Sequence, residues 1–151
     1  MLVLSVLACD SIDTVHVEPG SSAGALYLHA YQRPDSVNGI ANIESIEVDR
    51  CGGHWLGATV WKIDRTRHPW FGAKEHPIIV YGKLPSDRWR TSQTAIPLDT
   101  GCYQASAWGG GIQGYAAFRV ASSGEIHEIS YAALQALREA ARREDSLAGI
   151  K

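Results

Sequence analysis

The sequence predicts a mainly-β chain: one β-sandwich followed by a C-terminal α-helix. Three observations carry this. Short stretches rich in Val, Ile, Tyr, Trp and Leu recur along 25–121, separated by Gly and Pro turns with no helical period between them. The 151 residues suffice for one core, and the apolar fraction of 45% against 20% charged is that of a globular protein. Beyond residue 129 the apolar spacing changes to that of a helix.

The first strand is expected over 25–31, where Leu26, Tyr27, Leu28 and His29 lie between Gly24 and Pro34. Over 43–48, Ile43, Ile46 and Val48 are interleaved with Glu44 and Glu47. Over 56–63, Leu56, Ala58, Val60 and Lys62 fall on one face, with Gly57, Thr59, Trp61 and Ile63 on the other. A charged, proline-containing loop spans 64–74. A short buried strand at 78–81 is ended by Gly82 and Pro85. Residues 94–98 are a further candidate, which Pro97 confines to an edge. The segments 103–108 and 115–120 form a hairpin around Gly109-Gly110-Gly111. Ser130 then supplies an N-cap, with Ile129 and Leu134 placed as a hydrophobic staple across it. Leu134, Leu137 and Ala141 make a narrow apolar stripe, and Glu139 with Arg143 an i,i+4 pair, so a helix is expected over 131–143 within a 130–145 segment.

Leu98-Asp99-Thr100-Gly101-Cys102-Tyr103 resembles the entry to the penultimate strand of immunoglobulin-like and fibronectin-like sandwiches. The resemblance implies that Tyr103 is a corner ring whose hydroxyl bonds back to the backbone, with 115–120 as the closing strand. Antibody-type domains carry a Cys two residues after that Tyr. Here the position is Ala105, and Cys102 precedes Tyr103 on the opposite face, so a bridge from Cys102 is not the usual inter-sheet one.

The chain opens on an apolar run ending in Val6-Leu7-Ala8-Cys9. This resembles the lipobox of bacterial lipoproteins. The resemblance implies a partial signal peptide over 1–8, cleavage before Cys9, and acylation of that cysteine. Residues 9–24 then serve as lipid anchor and tether. A secretory signal carries a basic n-region, yet no Lys or Arg precedes Arg33, so the true start is expected upstream. With Cys9 lipidated, Cys51 and Cys102 remain as one disulfide pair in an extracytoplasmic compartment. A zinc site drawing on Cys51, His54 and Cys102 is the alternative, although structural zinc wants a second close pair of ligands. The chain as a whole resembles uncharacterised small lipoproteins, which implies no activity.

The net charge of −2 gives no field for nucleic acid, and Arg138, Arg142 and Arg143 are interleaved with Glu139, Glu144 and Asp145. There is no Gly-x-Ser-x-Gly elbow and no His-Glu-x-x-His, so no catalytic residue and no cofactor is expected. His16, His29, His68, His76 and His127 are scattered and receive no role. Recognition is expected from aromatic loops: Trp70 and Phe71 between Pro69 and Gly72, and Trp89 between Arg88 and Arg90. The functional expectation is a membrane-tethered periplasmic or surface protein that binds a protein ligand. A carbohydrate-binding module using the same aromatics comes second, and a small zinc protein or enzyme third.

Overall fold

The structure is a computed structural model, described here over residues 15–30, 43–51, 58–66, 78–109 and 112–149. Nine strands precede one helix among these residues. The strands form two antiparallel sheets. β1 (Val15–Val17), β2 (Tyr27–Ala30) and β5 (Ile78–Val80) are ordered β1-β2-β5. The larger sheet contains β3 (Ser45–Arg50), β4 (Thr59–Arg65), β6 (Trp89–Gln93), β7 (Gly101–Gly109), β8 (Ile112–Val120) and β9 (Ile126–Ile129). Its order is β6-β4-β3-β7-β8-β9. The pairings β1-β2-β5 and β3-β7-β8 match the A-B-E and C-F-G orders of immunoglobulin-like sandwiches. Here β4 and β6 extend the larger sheet beyond β3, and β9 extends it beyond β8.

Alternation builds the core. Leu28 and Ala30 of β2 and Ile79 of β5 meet Ile46, Val48, Trp61, Ile63, Tyr103, Ala105, Phe118 and Val120 from the larger sheet. Tyr103 and Phe118 are direct cross-strand partners, with rings stacked at 5.6 Å. Beyond β5, Tyr81 closes one side of the sandwich. Its ring meets Trp61 edge-on at 5.2 Å, and its hydroxyl donates to the Ile96 carbonyl at 2.7 Å.

A bulge reassigns the faces of β4. Val48 pairs with Trp61 and Asp49 with Thr59, which leaves Val60 as the extra residue. Val60 and Trp61 are therefore both buried, while Thr59 turns away from the core toward Asp49. The strict alternation expected over 56–63, with Thr59 and Trp61 on one face, does not survive the extra residue.

Three other boundaries differ from the sequence reading. The stretch assigned to a tether contributes β1, and Ala23 N–H bonds the Gly124 carbonyl, so residues from Val15 onward belong to the sandwich. The edge strand is β6 rather than 94–98. Pro97 has no N–H to give, and Ile96 N–H instead bonds the carbonyl of the bulged Val60. β9 pairs with β8 from Ala117 to Val120, a strand hidden from the sequence because its four residues carry His127 and Glu128.

α1 (Tyr131–Ala148) begins directly after β9. Ala133 N–H donates to Ser130 Oγ at 3.2 Å, the bond of an N-cap. The helix lies against the outer face of the larger sheet. Leu134 is fully buried there with Ala117, apart from the inter-sheet core, and Arg138 Nη2 donates to Gln104 Oε1 of β7 at 2.6 Å. No helix among the described residues is long and apolar enough to cross a membrane.

Candidate functional site

Cys51 and Cys102 are joined by a disulfide, with Cα atoms 5.2 Å apart. Cys51 N–H bonds the Cys102 carbonyl at 2.8 Å, so the bridge links neighbouring strands of one sheet. Both sulfurs are thereby withheld from zinc, and His54 lies outside the described residues. Among the described residues, no group of three or more His, Cys, Asp and Glu side chains is arranged to hold a metal ion.

On the other face of the same strand, Tyr103 is fully buried. Its hydroxyl donates to the Asp99 carbonyl at 3.0 Å, four residues upstream, the contact expected of a corner ring. Arg50 pairs with the Asp99 carboxylate and lies over the Tyr103 ring at 5.3 Å. The Tyr103 hydroxyl, with Arg50 adding to it, holds the Asp99 carboxyl below its ordinary range against the opposing effect of desolvation.

Trp70, Phe71 and Cys9 lie outside the described residues. Trp89 is not the exposed anchor expected of it. It is 3% exposed and belongs to the core, with the Arg65 guanidinium 4.7 Å over its ring. Strand placement decides this: as the first residue of β6, Trp89 turns inward while Arg90 to Gln93 face out.

What the described residues do assemble is a cleft of about 290 Å³ between the two sheets and the start of the helix. Its origin is local. β9 accompanies β8 only from Ala117 to Val120, because Ser130 caps α1 and diverts the chain. Residues 113–116 of β8 run on past the end of β9. Gly114, Ala116 and Ala117 are small and leave the floor low.

Across the gap stands β1. Glu128 joins the two sides: Oε2 accepts the Val17 N–H at 2.9 Å, and Oε1 lies 3.2 Å from His16 Nδ1. One carboxylate thus satisfies an edge-strand donor that no strand among the described residues reaches, and orients an imidazole at the mouth. On the other lip, Tyr115 and Tyr131 are 42% and 57% exposed, with ring centroids 5.8 Å apart and planes tilted by 47°. The cleft is balanced between apolar floor and polar rim. Its volume sits at the small end of ligand sites.

Sequence reasoning missed all four rim residues. The signal was present for His16: Val15-His16-Val17 alternates, placing the imidazole on the exposed side of a strand. Glu128 had no such signal, since its role depends on β1 lying opposite. Comparison with protein-family models, with curated proteins and with solved structures finds no match to the chain.

Proposed function

We propose that this chain is an extracytoplasmic, membrane-tethered binding protein. Lipid on Cys9 anchors it, and it holds a protein ligand at the cleft between β1, β8, β9 and α1. The carrying observation is the cleft mouth, where exposed Tyr115 and Tyr131 stand beside the His16–Glu128 pair. Exposed tyrosines offer large contact area with a polar tip and lose little conformational freedom on binding. The Cys51–Cys102 disulfide supports an oxidising compartment. Val6-Leu7-Ala8-Cys9 supports the anchor.

Protein is favoured over glycan because the two rings are tilted by 47° rather than coplanar. A sugar ring stacks on a flat platform, whereas a side chain can lodge between tilted rings.

Two measurements test this. Mass spectrometry of the membrane fraction is expected to show acyl mass that disappears in Cys9→Ser; an unmodified soluble Cys9 overturns the anchor. A photo-crosslinker at Gln113, on the cleft wall, is expected to trap one protein, and Tyr131→Ala is expected to abolish the adduct at unchanged thermal midpoint. An adduct indifferent to Tyr131→Ala and to Tyr115→Ala overturns the cleft, and retention on immobilised glycans instead moves the reading to carbohydrate.

A further inference from the structure

We propose that the cleft takes its protein ligand by a cationic side chain, lysine or arginine, set over the face of Tyr131 with the Glu128 carboxylate as counter-charge. This rests on the cleft being the ligand site and names the group that enters it. Charge complementarity carries it. Among the described residues lining the cleft, Glu128 is the one carboxylate, and none is Lys or Arg. A basic side chain meets an opposite charge there and no fixed like charge, whereas an acidic one would meet Glu128 as a like charge.

The carboxylate is held in place. Oε2 accepts the Val17 N–H at 2.9 Å and Oε1 lies 3.2 Å from His16 Nδ1, so two contacts fix Glu128 across the gap between β9 and β1. A neutral imidazole that gives a hydrogen bond to a carboxylate leaves its charge uncancelled. The amino end of α1 also borders the cleft, through Ser130 and Tyr131, and works against a cation. Its partial charge is about half a unit against the full unit on Glu128, and the carboxylate prevails.

The rings supply the second attraction. Tyr131 is 57% exposed and Tyr115 42%, and both line the cleft. Their centroids are 5.8 Å apart with planes tilted by 47°, so the pair forms a corner rather than a flat stack. A cation seated in such a corner lies within about 6 Å of both centroids, where the ring quadrupole attracts it. Tyr131 gives the main face and Tyr115 the flank. The volume of about 290 Å³ corresponds to a space only about 8 Å across, room for one ammonium or guanidinium head and its stem but not for a loop. Gly114, Ala116 and Ala117 make a low apolar floor, along which the methylenes of lysine or arginine lie while the charged head stays at the polar rim.

The probes are N-acetyl-lysine methylamide and N-acetyl-arginine methylamide, with the uncharged N-acetyl-norleucine methylamide as control. Each is titrated into the disulfide-intact chain at pH 8, where an ordinary imidazole is neutral, and read by the backbone amide shifts of residues 113–117. At least one cationic probe is expected to bind in the millimolar range, about fivefold or more tighter than the norleucine probe. Tyr131→Phe is expected to keep that affinity. Tyr131→Leu keeps apolar contact without a π face, and Glu128→Gln keeps an acceptor for Val17 without the charge; each is expected to weaken binding about fivefold or more. Glu139→Gln, on the exposed side of α1, should change nothing. Should Glu128→Gln melt below the parent, salt reads the same charge: parental binding of the cationic probe is expected to fall about twofold or more between low salt and about 0.5 M. Norleucine binding within about twofold of both cationic probes, or no cationic binding at tens of millimolar, overturns the cationic anchor. So does affinity indifferent to Tyr131→Leu, or to removal or screening of the Glu128 charge. In each of those cases a Tyr131-dependent adduct at Gln113 still upholds the cleft as a protein site, and its absence overturns that reading separately.

Discussion

Asp49→Asn is expected to stabilise the protein at neutral pH and to do nothing for it in acid. Asp49 stands on the outer face of β3, opposite Gln104 of β7 and Thr59 of β4, with Glu47 on the same face two residues away. Its Oδ1 is buried without a hydrogen-bond partner among the described residues. Burial pushes its carboxyl from 3.8 up to about 6; the Thr59 hydroxyl opposes the rise and Glu47 adds to it. The folded chain therefore holds this proton more tightly than the unfolded chain. The stabilisation from protonation is complete below about pH 4 and is lost as pH rises through about 6. A shift of that size corresponds to a ceiling of about 3 kcal/mol. The side chain is only half-buried, and solvent screening reduces this to about 1 kcal/mol. Asparagine keeps the shape, carries no charge, and can donate to Glu47. Thermal melts at pH 7.5 are expected to show Asp49→Asn about 3 °C above the parent, with the two coinciding at pH 4. An asparagine variant less stable than the parent at pH 7.5, or a gain of equal size at both pH values, would refute the reasoning.

Two further outcomes follow from the packing. Leu134→Ala removes the fully buried side chain that docks α1 on β8 and is expected to cost about 3 kcal/mol in urea denaturation. The exposed Leu147→Ala should be neutral, and equal midpoints for both variants would mean that the helix is not docked. Replacing Cys51 and Cys102 by Ser opens a loop spanning a sequence separation of 51 and is expected to lower stability by about 4 kcal/mol in the chain-entropy account. A urea midpoint indifferent to the double substitution would show that the bridge constrains nothing.

The elements legible in the sequence were those whose own residues carried the pattern. β2, β3, β5, β7 and β8 lie where β-prone runs met Gly and Pro punctuation, and α1 starts at the cap that Ser130 announces. The corner was legible because Tyr103 and Asp99 are four residues apart and their bond is local. What escaped was set by distant partners. β1 has three residues, too few for the Val15-His16-Val17 alternation to mark a strand by itself, and it is held because β2 lies beside it. Trp89 between two arginines looks solvated until β4 is placed alongside, after which its ring is inside and Arg65 covers it. Val60 breaks the face assignment of β4 because one more residue lies between Thr59 and Trp61 than β3 can pair. The cleft is the extreme case: its four rim residues come from β1, β8, β9 and α1, and no window of sequence contains them all.

The position of the disulfide bears on how the chain reaches this state. β3 and β7 are the middle strands of the larger sheet, yet they are brought together from far apart in sequence, the kind of non-local pairing that makes all-β folding slow. Cys51 and Cys102 stand directly opposite each other at one end of that pairing, next to Arg50 and Tyr103. A chain oxidised before it folds starts with the slow closure already made and the two strands in alignment. A chain that folds first must find the same alignment unaided, and a slip of one residue would turn Tyr103, Ala105 and Ala107 out to water. Where oxidation comes first, the long-range closure of the central pair is already made before the rest of the larger sheet assembles around it.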